Sequence, residues 1–392
     1  MITHSDIEKL LGVRAAEPSV LSLYLRVPRD PSALRELPAR VDELLAVAGR
    51  DGNHDGDARR ALEEDRRIAA GMLEAHARDW LEHTVAIFAC GGQRLAEMVV
   101  LPGAGQDRAV FATRPHVRPL LLALQRSPGY YVAVVDRQHA WVFRVAAEQI
   151  DAMATLVADG VRSHAFGGWY GLEARRVQDR VIQLARHHYH DTVAALVTVM
   201  GTGDFEPLVL GGHEGSMPRF FAMLPDDVRA RFAGSFAADP HTMTPARVRA
   251  LADEVVARWA SAREQQVVTQ VAQQRPGGLT AAGLDLCLAA VNQRAAKLLV
   301  VPESGMIPGF ACQRCARLSR TGTDCPDWGA ASIAVPDLIE EMTVAALGDG
   351  AQVMTVAEPP GQIAALLRFP LAVTGERVPP PPRPVVYGAG GG

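Results

Sequence analysis

The chain has 392 residues, 48% of them hydrophobic and 21% charged, with a formal net charge of −4. That length exceeds one ordinary domain, and the apolar share excludes wholesale disorder. The slightly acidic balance excludes a protein coated in positive potential but leaves room for a local basic patch. The start, "MITHSDIEKLLG", has no cationic stretch ahead of an apolar run, and no apolar run approaches the roughly 20 residues of a membrane span. A cytoplasmic protein is expected.

The first domain is expected over residues 1–125. "VLSLYLRVP" (20–28) alternates like a strand, and residues 33–48 carry apolar side chains at helical spacing. A polar, turn-rich loop (49–57) and a charged helix to about residue 80 follow. "HTVAIFAC" (83–90) and "LAEMVVLP" (95–102) read as a hairpin around "GGQR". The second domain, 126–240, opens with "YYVAVVDRQHAWVFRV" (130–145), two strands joined by a turn containing Asp136 and Arg137. A helix over 172–198 and a buried strand "PLVLGG" (207–212) come next, and "MPRFFAMLPDDVRARF" (217–232) continues the alternation. The third domain, 241–374, has a long amphipathic helix to about 274, a helix over 280–292 and a strand "KLLVVP" (297–302). A cysteine loop, a helix over 336–347 and strands at 351–357 and 363–369 complete it. Strands alternating with helices indicate α/β layers rather than a bundle. The fold class expected is therefore α/β in three domains, with a mixed-sheet middle domain and an α/β/α sandwich at the end. The tail, 375–392, is Pro/Gly-rich and expected to be disordered.

Between the second domain's strands and its long helix lies "HAFGGWYGLEARRVQDR" (164–180). Gly167, Gly168 and Gly171 permit positive φ or a close backbone approach. The helix start that follows offers unpaired N–H groups and the positive end of the macrodipole, a natural seat for phosphate. Arg175, Arg176, Arg180 and Arg186 fall in the next turns, with Arg176 and Arg180 four apart on one face. Trp169 and Tyr170 add stacking surfaces, and aromatic plus arginine suits looped or single-stranded RNA. A helix-capping turn with solvated arginines is the plainer reading of the same residues.

Three of the five cysteines, Cys312, Cys315 and Cys325, crowd into one loop, a pattern of intracellular metal sites rather than of a disulfide framework. His187, His190 and Asp191 share a helix face at i, i+3 and i+4 but lack a ligand from a second element. A surface cluster or packing against the sheet is the reading favoured for them. Asp136 and Glu173 read as turn and first-helical-turn residues rather than as an acid–base pair. No P-loop, nucleophile elbow, HExxH or dinucleotide fingerprint is present.

The ordered set of elements resembles the class I archaeo-eukaryotic peptide release factors and Pelota, in the bacterial branch that includes the hibernation factor Balon. In the middle domain the resemblance rests on the strand pair at 130–145, the Gly-Gly tip, the helix "LEARRVQDRVIQLARHHYHDTVAAL" and "LVLGGHEG". In the last domain it rests on "GFACQRC", "DCPDWG", "VPDLIEEM" and "IAALLRFPL". In the family's release enzymes the tip reads Gly-Gly-Gln, and Gly167 and Gly168 match the two glycines. Trp169 stands where the glutamine would be. Gln93 completes the same three letters in the first domain's hairpin, the wrong context, and is read as coincidence.

The resemblance also implies a zinc ribbon inserted in the third domain. Cys312, Cys315 and Cys325 match three of its ligands, while Trp328 takes the position of the fourth. A degenerate ribbon that dispenses with zinc is therefore expected, free thiols being the alternative, and no other cofactor. The resemblance implies a factor that docks in the ribosomal A site, facing rRNA and the peptidyl-transferase region, in hibernation or rescue without efficient peptide release. A translational GTPase such as elongation factor Tu is the further partner it implies. Two other functions stay open: a peptidyl-tRNA ester hydrolase, and a cytosolic interaction protein that has lost the ribosome.

Overall fold

The computed structural model describes residues 4–15, 19–48, 56–102, 105–146, 149–158, 171–201, 206–239, 242–273, 278–322 and 324–372. Contacts gather the chain into two units, one of residues 1–125 with 264–392 and the other of 126–263. Each is an α/β structure built on its own sheets.

The first part of the chain contains α1 (His4–Leu11), β1 (Val20–Arg26), α2 (Leu37–Ala48), α3 (Gly56–His76), β2 (Thr84–Cys90), β3 (Leu95–Leu101), β4 (Arg108–Ala112) and α4 (Arg118–Arg126). Its sheet has the order β3-β2-β1-β4, with every pair antiparallel. Leu21, Leu23 and Leu25 pack with Leu45 of α2 and Leu73 of α3 on one face. Tyr24 and Phe88 face Leu120 of α4 on the other. With both faces covered, β1 is buried from Val20 to Leu25, although its sequence alternates. The "GGQR" turn joins β2 to β3 as expected. Its Gly91 N–H donates to Asp65 at 2.8 Å, and the Gln93 amide donates to the Arg14 carbonyl at 2.7 Å.

The middle unit contains β5 (Tyr130–Val135), β6 (His139–Ala146), β7 (Gln149–Val157), α5 (Gly171–Met200), β8 (Leu208–Gly212), α6 (Met217–Ala222), α7 (Asp226–Arg229) and β9 (Phe232–Ala237). The sheet order is β7-β6-β5-β8-β9, antiparallel from β7 to β5 and parallel from β5 to β9. Val135, Val142 and Leu210 meet Tyr189, Val193 and Leu196 of α5 on one face. Val132, Val134 and Val209 meet Val248, Ala252 and Val255 of α8 (Pro245–Ala272) on the other. The alternation of strands with helices continues across 217–232 as α6 and α7, with β9 after them. Pro218 sits in the first turn of α6, where a missing N–H costs nothing.

The last part adds β10 (Thr280–Ala282), α9 (Leu284–Asn292), β11 (Ala296–Pro302), β12 (Gly309–Cys312), β13 (Leu318–Ser319), β14 (Ser332–Val335), α10 (Leu338–Gly348), β15 (Gln352–Val356) and β16 (Ala364–Leu367). Its main sheet has the order β10-β16-β11-β15. Leu299 and Val301 face α9 and α10, while Leu298 and Val300 face Val271 at the end of α8. That is the expected α/β/α sandwich. The helix expected from 280 starts only at Leu284, because Gly283 at φ 89° breaks the backbone between β10 and α9. The insertion between β11 and α10 forms a small sheet of order β13-β12-β14.

Buried charges tie the two ends of the chain together. Arg118, only 1% exposed, bonds Asp337 and donates to the Gly305 carbonyl at 2.8 Å. Its Nε lies 3.4 Å from Glu340, an ion-pair contact, and His116 Nδ1 lies 3.1 Å from the same carboxylate, neither with hydrogen-bond alignment. Glu340 also accepts from the Val117 N–H at 2.6 Å, so a side chain of α10 caps the start of α4. Arg114 and Glu341 form a second pair at 3.1 Å, and Gln125 exchanges two 2.8 Å bonds with the Thr355 backbone. Burial alone would raise Glu340, but His116, Arg118 and the Val117 N–H outweigh it and bring the carboxyl to about 2. Burial raises Asp337 and Glu341 despite their arginines.

Removing one partner of a buried pair leaves the other charge uncompensated. Glu340→Gln is therefore expected to lose about 3 kcal/mol in urea unfolding at neutral pH. Because Glu340 is depressed on folding, its contribution is present above the ordinary value of 4.5 and fades as the pH falls toward about 2. The gap between wild type and variant should narrow across that window; a constant gap would show that ionised Glu340 is not the stabilising species.

Candidate functional site

Gly167, Gly168, Trp169 and Tyr170 lie outside the described residues. What is described is their setting. They belong to the connection between the end of β7 and the start of α5, and Gly171 opens that helix. Arg175, Arg176 and Arg180 follow in its first turns, with helical backbone. At the root of the connection, Val157 of β7 pairs with His139, which follows the β5–β6 turn. Asp136 accepts from the N–H groups of Gln138 and His139, both at 2.6 Å, so it shapes that turn. Among the described side chains of α5, burial begins at Ala185, while Ile182 is half exposed. The helix is thus anchored on the sheet by its later turns.

His187 and Asp191 form an exposed contact at 3.8 Å, and His190 is exposed as well. Among the described residues these three do not form a metal-ready group. Between them, His188 is buried and Tyr189 packs edge-on against Phe220. Burial lowers the His188 pKa. The histidine run is a helix with one face in the core and one in solvent.

The cysteine loop keeps the backbone of a metal knuckle. Ala316 N–H donates to the Cys312 carbonyl at 2.9 Å and Gly329 N–H to the Cys325 carbonyl at 2.7 Å, with Ala316 at φ 54° and Gly329 at φ 60°. The three Sγ atoms lie within 4.8 Å of one another, and those of Cys315 and Cys325 are 3.6 Å apart. Burial pushes the Cys315 thiol up to about 12. Burial also works to raise Cys312, but backbone N–H groups and the neighbouring thiols leave it below its ordinary value. Three corners of a zinc tetrahedron fit; the fourth does not. Asp327 is held by Arg317 at 2.7 Å, and the Trp328 ring lies under the Arg314 guanidinium at 4.2 Å. A second group, His116 with Asp337 and Glu340, already holds its cation in Arg118. Sequence reading missed that cluster, although charges set in apolar runs, "HVRPLLL" and "VPDLIEEM", were its signal.

Residues 115–274, less than half of the chain, are similar to the model of bacterial archaeo-eukaryotic release factor family 10. No curated protein matches. Among solved structures, an archaeal translation termination factor, aRF1, is 16% identical, with 93% of this chain and 96% of that chain covered and a TM-score of 0.24. A ribosome-bound archaeal Pelota is 16% identical over 74% and 79%, with a TM-score of 0.39. Dom34 of S. cerevisiae is 9% identical over 75% and 81%, with a TM-score of 0.40.

With no donor at the fourth corner among the described residues, isolated protein should carry zinc well below one per chain. Trp328→Cys should raise the metal content measured by elemental analysis. Full zinc in the wild type would mean that another group completes the site.

Proposed function

We propose that the protein is a cytoplasmic translation factor that occupies the ribosomal A site without releasing peptide efficiently, in hibernation or in rescue of stalled ribosomes. The observation that carries this reading is the family match over residues 115–274, which spans the whole Gly-Gly segment and α5. Two further features support it. The segment leaves the sheet between β7 and α5 and leads directly into a helix start rich in arginine, a combination suited to phosphate. A translational GTPase, elongation factor Tu, is the partner proposed for delivery.

The reaction proposed against is hydrolysis of the peptidyl-tRNA ester. Release requires a water at the ester carbonyl and preorganised donors for the developing charge. Gly167 and Gly168 retain the backbone freedom for that, and this favours a hydrolase as the second reading. Trp169, however, puts a bulky indole where the release enzymes carry glutamine.

Two measurements test these readings. The protein should pellet with bacterial ribosomes, and added salt should weaken the association because phosphate contacts release counterions. Arg175→Ala with Arg176→Ala should reduce pelleting more than the same charge loss at Arg59 and Arg60 of α3; equal losses would remove the arginine run from the interface. In single-turnover assays with peptidyl-tRNA on the ribosome, saturating protein should release little labelled peptide. Trp169→Gln is expected to gain activity and Gly168→Val to weaken docking. Fast release by the wild type that Gly168→Val abolishes would establish the hydrolase instead.

A further inference from the structure

Among the described residues, the insertion between β11 and α10 presents three thiols with no fourth donor, and that arrangement has its own chemistry. Cys312 ends β12 and is buried, Cys325 is buried in the second knuckle, and Cys315 is half-buried and so accessible from solvent. Sulfurs bound to one metal at about 2.3 Å stand roughly 3.8 Å apart in a tetrahedral arrangement. The observed 3.6 Å between Cys315 and Cys325, with Cys312 inside the same 4.8 Å group, lies close to that spacing. Small side-chain rotations would close the three sulfurs on a single ion.

Zinc in a structural site asks for four ligands. Here the nearby carboxylate of Asp327 is engaged by Arg317, and Trp328 has no ligand atom to give. Soft thiolates suit monovalent copper, zinc and iron–sulfur clusters, and of these it is a single monovalent copper ion that three thiolates can satisfy without a fourth ligand. Three thiolates around it leave a negative complex. The Arg314 guanidinium over Trp328 and the Arg314 N–H, which donates to Cys312 Sγ at 3.4 Å, supply compensating positive potential. Cys90 and Cys287 are buried elsewhere, Cys90 beside Val20 and Cys287 in the sandwich core, so neither adds a ligand.

We propose that Cys312, Cys315 and Cys325 bind one monovalent copper ion through three thiolates, in place of a four-ligand zinc. Each thiol gives up its proton to solvent on binding, so affinity rises with pH.

The test uses the full chain, reduced and kept free of oxygen, titrated with monovalent copper against a copper chelator. One copper per chain is expected, with thiolate-to-copper absorption in the near ultraviolet and three sulfur scatterers by X-ray absorption. Cys315→Ser should weaken copper at least ten-fold while leaving the far-ultraviolet dichroism unchanged. Unaltered affinity in that variant overturns the proposal. If the variant does not fold, the scatterer count on the wild type decides, and two or four sulfurs overturn the assignment. A Cys315–Cys325 disulfide in protein freshly isolated from growing cells, found by mass spectrometry, would overturn it too and identify a redox pair.

Discussion

Arg118 is the residue on which the larger unit depends. Its guanidinium sits among Asp337, Glu340 and the carbonyls of Pro302 and Gly305, all contributed by residues about two hundred positions further along the chain. A charge so buried is costly unless it is paired and hydrogen-bonded. Here the pairing partners and the carbonyls come from the other end of the chain, so the cation is satisfied only when the two ends meet. Val344 of α10 joins the apolar face formed by Tyr24, Phe88 and Leu120, so hydrophobic burial and charge pairing act at the same junction. The ion cluster gives the junction one register; the apolar contacts supply most of its attraction.

How much of this was legible follows from the range of each interaction. β2, β5, β8 and β11 are apolar runs buried on both faces, and such runs announce themselves locally. β7 did not: it is an edge strand with Asp151, Met153 and Thr155 exposed, and the positions between them carry small residues, Ala152 and Ala154, that give a weak apolar signal. β9, "FAGSFA", is short in large apolar residues and bends at Gly234, φ 148°. The junction around Arg118 was invisible for a different reason. Its partners are separated by more than 200 positions, and no local pattern pairs them.

The candidate site divides in the same way. Cys312-x-x-Cys315 and the turn after Cys325 are local motifs, and the structure brings their thiols together as the spacing implies. That Arg317 claims Asp327, and that Arg314 covers Trp328, depends on side-chain directions that spacing does not encode. Gly167 to Tyr170 lie outside the described residues, and what the sequence located there is the helix that follows them. Their stem was located as well, since β6 and α5 were both readable, although the strand that immediately precedes them was not.

The interruption of one unit by another has a consequence for the order of events during synthesis. Residues 1–125 leave the ribosome first, with the sheet β3-β2-β1-β4 and α1 to α3 able to pack at once. The start of α4 and the guanidinium of Arg118 must wait for α10, which is made only after residues 126–263 have emerged. At five to twenty residues per second, that wait is on the order of ten to forty seconds. Throughout it, the nascent chain holds an arginine without its carboxylates beside an apolar face lacking Val344. A chain cut short before α10 would keep both defects permanently, and would be marked for proteolysis by its unfinished junction rather than by any flaw in the sheet.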